Sequence, residues 1–318
     1  MKLRQSRSPR NLNRGLSLIE LMVSLVIGMV IMIAVVSAYI GASGATRVAE
    51  AQARMNEDGQ AVLTILSQQL RMAGNNPKQV DYDVATPRNP VYNSVTYIIR
   101  GCDGKFTDAA AASLSLLACT AGGPDSVAVS YEADRYNTVP NAAGLPTDCL
   151  GQALPVVNGT AKIWNGTASA DTAVTFTVAD NRFYVATSTA VTSPSLFCKG
   201  NGGATAQSLV ENVEDLQFVY GTAPTTATPS TLAVAGYLNA SDLDVTGPLG
   251  TMLSDEARWG QVLSVRICVV VRSERPIVQD ADSAKFVKCD GTLSAAMPDL
   301  KLRRAYSTTV VLRNRVPS

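Results

Sequence analysis

The chain has 318 residues, 27 Lys and Arg against 26 Asp and Glu, a net charge of +1 and no histidine. Without His it lacks the commonest general base and the commonest zinc ligand. No Gly-x-Ser-x-Gly elbow or Gly-rich phosphate loop occurs and the acidic residues are scattered, so no enzyme and no cofactor is expected.

Residues 1–15 hold Lys2, Arg4, Arg7, Arg10 and Arg14 and no acidic residue. An apolar run follows from Leu16 to Ile40 with Glu20 as its one charge. At 1.5 Å per residue it is long enough to cross a hydrocarbon core of roughly 30 Å. Flanking cations stay cytoplasmic, which places the bulk of the chain across the membrane. A secretory signal with a cleavage site among Ala42, Ser43, Gly44 and Ala45 is the competing reading. Its apolar core is roughly 7–15 residues, shorter than this run, and a plain signal anchor gives no reason for Glu20. An ionisable group in a membrane helix costs on the order of 2.5–3.5 kcal/mol and marks function.

Gly15 followed by Leu16-Ser17-Leu18-Ile19-Glu20 resembles the site that prepilin peptidase cuts in type IV pilins and pseudopilins. The resemblance implies cleavage after Gly15 on the cytoplasmic face and N-methylation of Leu16, where Phe is usual in the family. It makes Glu20 the acidic residue of the mature terminus. Loss of five leader cations takes the net charge from +1 to about −4. A carboxylate in hydrocarbon protonates or finds a cation. In a helical assembly that cation is a neighbouring subunit's amino terminus, so Glu20 is assigned to subunit recognition.

From residue 46 the sequence turns polar while the helical pattern persists. Met55, Val62, Leu63, Leu66 and Leu70 form one apolar stripe, suited to a helix half buried on a sheet. No proline interrupts residues 16–76, and Gly74-Asn75-Asn76-Pro77 supplies a stop. The predicted helix runs about 58 residues, or about 87 Å. Gly28, Gly41, Gly44 and Gly59 each weaken it by about 1 kcal/mol relative to Ala, and Gly41 to Gly44 is the expected place for a bend.

Beyond residue 78 short alternating segments stand between turn signals. Strands are predicted at Val95–Arg100, Ser126–Glu132, Thr172–Val178, Arg182–Ala186, Leu216–Tyr220, Val262–Arg272 and Tyr306–Arg313. Residues from 207 to the Leu216 strand read as helix or loop, and 221–254 as a long loop or loosely paired hairpin. No period of 20–50 residues repeats. The expected organisation is a leader (1–15), a transmembrane half-helix (16–40), an amphipathic half-helix (41–76) and a β-rich head (77–318). The fold class is α+β: a long helical spine packed on an antiparallel sheet.

Leu70-Arg71-Met72-Ala73-Gly74, Val210 through Gln217, Val265-Arg266-Ile267 and Ser307 through Arg315 are similar to the PilW family of minor pilins. The resemblance implies a structural subunit that helps initiate or cap the type IV pilus. Its implied partners are other minor pilins, the major pilin, the inner-membrane assembly platform and prepilin peptidase. It implies an inner-membrane protein with a periplasmic head that moves into the pilus on assembly. A minor pseudopilin of type II secretion shares the same leader and is the alternative. A membrane-anchored binding module or adhesin is a third.

The six cysteines, Cys102, Cys119, Cys149, Cys198, Cys268 and Cys289, all lie beyond the membrane segment, which reads as disulfides on the oxidising side. Of fifteen formal pairings the sequential set is expected. Only Cys268–Cys289 has independent support, from a strong strand and a short returning loop. No Cys-x-x-Cys spacing suggests a metal. Asp242 and Asp244 lack the rest of a calcium loop and read as solvated. Glu214 and Asp215 read as solvated strand-edge or turn residues. Arg303, Arg304, Arg313 and Arg315 form a basic cluster with one stacking residue, Tyr306, and no nucleic-acid partner is expected.

Overall fold

The structure is a computed structural model that describes residues 17–75, 97–164, 167–224, 233–244 and 255–315. Helix α1 spans Leu18–Met72, 55 residues. The chain divides into two compact units within this helix, after Glu50. The head therefore takes in the helix from Ala51, and the expected boundary at 76/77 falls inside one unit.

The helix stops where the turn signal begins. Gly74 takes φ +72°, a left-handed conformation that costs glycine little. Its N–H donates to the Ser130 carbonyl at 2.9 Å. The open carbonyls of Arg71, Met72 and Ala73 accept from Asn314 Nδ2 at 3.1, 3.4 and 3.2 Å, so the far end of the chain caps the helix. Asn76 and Pro77 lie outside the described residues.

Met55, Val62, Leu63, Leu66 and Leu70 are all buried, as the stripe predicts, and Gly59 joins them. They pack on two antiparallel sheets. The first has the order β1–β2–β4–β5–β6 with β3 added to β4, and the second β10–β9–β7–β8. Their ranges are β1 Ile99–Phe106, β2 Cys119–Ala133, β3 Val156–Trp164, β4 Ser169–Ala186, β5 Ser195–Lys199, β6 Gln207–Glu211, β7 Val213–Thr222, β8 Gly236–Leu238, β9 Val262–Arg272 and β10 Arg303–Val311. Short helices α2, Ala240–Asp244, and α3, Asp255–Trp259, lie between β8 and β9. The antiparallel β head expected from sequence is built as two sheets.

Several boundaries move for identifiable reasons. Thr172–Val178 and Arg182–Ala186 are parts of one strand, because the intervening polar residues are satisfied by the sheet and by α1. Arg182 donates to both Asp180 carboxylate oxygens, at 3.1 and 2.8 Å. Asn181 Nδ2 donates to Gln69 Oε1 at 2.8 Å. Residues 207–211, read as helix or loop, pair with β5 as strand β6. Asn212, at φ +61°, then turns the chain from the first sheet to the second. The last strand begins earlier than expected, at Arg303, and Arg313 falls in a 3-10 turn. In 221–254 the described part contains β8 paired to β7, then α2. Residues 225–232, 245–254, 95 and 96 lie outside the described residues.

The sheets share one core with the helix. Trp259, Tyr220, Phe183, Phe218, Leu66 and Leu70 are its largest fully buried side chains. Polar ties fix the helix to both sheets. Gln69 Oε1 accepts from Tyr131 and Asn181 of the first sheet, at 3.3 and 2.8 Å. Tyr306 of β10 donates to Asn56 Oδ1 at 2.7 Å.

Candidate functional site

The N-terminal unit exposes an apolar surface that water does not satisfy, with one carboxylate at its start. The helix opens with the Leu21 N–H donating to the Ser17 carbonyl at 3.1 Å. Glu20 stands in the first turn. A carboxylate there gains about 0.3–1 kcal/mol from the helix dipole. Ser24, Ser43 and Thr46 turn their hydroxyls onto the carbonyls of Glu20, Ile40 and Ala42, at 2.7, 2.9 and 3.0 Å. Polar side chains bonded in this way need no solvent.

The large apolar residues from Leu18 to Ile40 are exposed, none below 51%. At about 1.5–3 kcal/mol for each such side chain, leaving this surface in water is untenable. The helix is long and apolar enough to cross a membrane. Among the described residues of this unit the only cation is Arg47. It lies 27 residues beyond Glu20, about 40 Å along the helix. Glu20 therefore has no ion-pair partner within its own unit among the described residues. Gly15 and Leu16, the expected processing pair, lie outside the described residues.

In the head the cysteines join as Cys102–Cys119, Cys149–Cys198 and Cys268–Cys289, with Cα separations of 5.4, 6.5 and 5.8 Å. Two of the bridges share a design. Thr147 bridges Ala153, and Val287 bridges Leu293, each across a tight antiparallel hairpin. Each hairpin turns on a glycine of positive φ, Gly151 at +73° and Gly291 at +80°. Each carries a cysteine two residues before that glycine, bonded to a cysteine within β5 or β9. The Cys-x-Gly spacing at 149–151 and 289–291 is the sequence signal for them.

The remaining candidates become structural. Glu214 is half-buried and ion-paired, accepting from Arg303 Nε at 2.9 Å. Arg303 also donates to both Asp299 oxygens, at 2.9 and 2.6 Å. Its guanidinium holds the Asp299 carboxyl down at about 2. The basic cluster is thereby broken up, with Arg303 neutralised and Arg304 lying over the Tyr306 ring at 5.6 Å. Asp244 accepts from Trp259 Nε1 at 2.7 Å, and Asp242 from the Asn239 N–H at 3.2 Å. Among the described residues no group of three His, Cys, Asp or Glu is placed to hold a metal.

Sequence reasoning missed Asp125. Its carboxyl is buried between the sheets and accepts the Gly104 N–H at 3.0 Å and the Phe218 N–H at 2.9 Å. Burial pushes it up to about 7 against the pull of those two donors. No local pattern distinguishes it from the surrounding turn residues.

Residues 182–314 match the family described as type IV pilus-assembly protein W. Residues 10–36 match the prokaryotic N-terminal methylation motif. No curated protein matches the chain. Among solved structures it is similar to a type IV-like pilin from Thermus thermophilus. The identity is 11% and the TM-score 0.34, over 82% of this chain and 98% of that one.

Proposed function

We propose that this chain, a type IV pilus minor pilin of the PilW family, helps initiate or cap the filament after cleavage between Gly15 and Leu16. The observation that carries the reading is Glu20, a carboxylate with no ion-pair partner among the described residues of its unit, at the start of an exposed apolar helix. In the bilayer the apolar surface is covered by lipid, and in a filament by the helices of other pilins. The carboxylate then needs a cation. Cleavage supplies one, the amino group of Leu16 on a neighbouring subunit, N-methylated in the processed protein. Such a pair is satisfied only in register, so it selects correct stacking even where it adds little net stability.

The protein is a membrane-anchored pilin whose role is structural. Its leader is cytoplasmic and its head periplasmic until the subunit enters the filament with other minor pilins, the major pilin and the assembly platform. The bulk of the head, residues 77–318, suits a tip position better than frequent incorporation along a shaft.

Pilus counts in a strain lacking the gene test this, with complementation by wild type and by Glu20→Ala. Loss of pili restored by the wild type is expected, while the variant inserts in the membrane and fails to restore them. Normal piliation without the gene overturns the reading in favour of a secretion pseudopilin. Full rescue by Glu20→Ala removes the role given to the carboxylate.

A further inference from the structure

The sheet edges differ in how they are protected against pairing with another chain. Strand β6 has five residues and ends on Glu211, and β8 has three. Strand β1 is bulged at Gly104 and carries Asp103 and Lys105. Strand β10 begins with Arg303 and Arg304. Short length, bulges and charge are the usual defences of an edge.

Strand β3 is longer than β6 and β8 and unbulged, with a single lysine as its defence. Its nine residues, Val156 to Trp164, pair with Ser169 to Thr177 of β4 without a register shift. Lys162 is its one charge. Among the described residues no strand pairs with its other side. In an antiparallel ladder every second residue turns its N–H and C=O outward, so this edge presents a row of donors and acceptors that no described strand pairs. Val156, Val157 and Asn158 are all exposed. Successive strand residues face opposite ways, so both faces of the ribbon meet solvent there. Phe176, with Val174 and Val178, forms a small cluster separate from the main core.

The sequence of the strand says which partner fits. Val-Val-Asn-Gly-Thr-Ala-Lys-Ile-Trp has the same order of residue classes from either end. Two apolar residues, a polar one and a small one flank Thr160 on each side. Antiparallel pairing of two copies about Thr160 sets Val156 opposite Trp164, Val157 opposite Ile163, Asn158 opposite Lys162 and Gly159 opposite Ala161. Register positions of like class then share a rung, and the lysine position falls opposite an asparagine in place of a second lysine. Such an interface is isologous, closed by a two-fold axis.

We propose that β3 is a self-association edge, on which a second copy of this chain adds its own β3 antiparallel about Thr160. The contact joins the two first sheets into one and is independent of the role given to Glu20.

Site-directed cysteine cross-linking of the full chain, in detergent micelles and in membranes, tests it. Antiparallel partners have Cα atoms about 4.5–5.5 Å apart, inside the disulfide span of about 4.4–6.8 Å. Thr160→Cys is expected to give a disulfide-linked dimer. Val156→Cys alone is expected to give none, because its two copies sit about 27 Å apart. Mixing differently tagged Val156→Cys and Trp164→Cys chains restores the cross-link, so the proposal does not hang on one variant. A monomeric Thr160→Cys chain with a thiol-reactive, folded head overturns the proposal. Equal cross-linking by Val156→Cys alone, or capture of a different polypeptide in its place, does so too.

Discussion

The ring of Tyr306 lies directly on Gly59, where a Cβ on the glycine would stand 2.5 Å from the Tyr306 Cδ2 atom. Read as sequence, Gly59 only weakens a helix; in the fold it is what lets β10 close on α1. Gly→Ala in a helix normally gains about 1 kcal/mol, whereas overpacking costs about 1–3 kcal/mol. Gly59→Ala is therefore expected to lower the melting temperature and break the Tyr306–Asn56 hydrogen bond. In a Tyr306→Ala background the same change should raise it. Thermal melts of the two single variants and the double variant check both signs. Destabilisation by Gly59→Ala in both backgrounds would contradict the contact.

The helix was legible because its information is local: a stripe at helical spacing, no proline, and a glycine stop. The β9 strand was legible for the same reason, as a dense run of branched residues. What escaped was long-range compensation. Asp180 and Asn181 look like turn residues until Arg182 and Gln69 are brought beside them. Glu214 looks unpaired until Arg303 arrives from 89 positions away. Of the site, Glu20 could be read from its misfit with the apolar run. Asp125 could not, because its burial is created by two strands distant in sequence.

Arg303 is expected to be intolerant of replacement. Its side chain is 4% exposed, and its five donated hydrogen bonds go to Glu214, Asp299 and the Lys301 carbonyl. A lysine cannot reproduce that planar fork. Arg303→Lys should cost about 1–3 kcal/mol in urea denaturation, as expected for charged hydrogen bonds left unmade. Asp299, held at about 2, contributes stability present above its unfolded value of 3.8 and lost as pH falls toward 2. The variant should lose that acid sensitivity. An unchanged midpoint would show that the network is dispensable.

Asp125 predicts the opposite pH dependence. Its folded value of about 7 lies above its ordinary 3.8, so the folded state holds the proton more tightly. The resulting stabilisation is full below 3.8 and is lost as pH rises through about 7. Denaturation at a series of pH values should show wild-type stability falling across that window relative to Asp125→Asn. The variant itself is expected to be less stable at low pH, because its amide N–H₂ confronts one of the N–H donors of Gly104 and Phe218. Parallel curves for the two proteins would mean that Asp125 does not titrate there.

The three disulfides should differ in weight. Cys149–Cys198 closes 49 residues, against 21 for Cys268–Cys289 and 17 for Cys102–Cys119. Chain entropy alone assigns about 4 kcal/mol to the first and about 3 kcal/mol to each of the others. Structure adds to the first. The Cys149 N–H donates to Asn181 Oδ1 at 3.1 Å, and Asn181 Nδ2 donates to Gln69 of the helix at 2.8 Å. Loosening this hairpin therefore reaches the helix through one shared side chain. Replacing Cys149 and Cys198 together by Ser is expected to give the largest loss of stability of the three paired replacements. It should also be the one that most speeds amide exchange near Gln69. If the loss instead followed the Cys102–Cys119 pair, the Asn181 relay would carry no load.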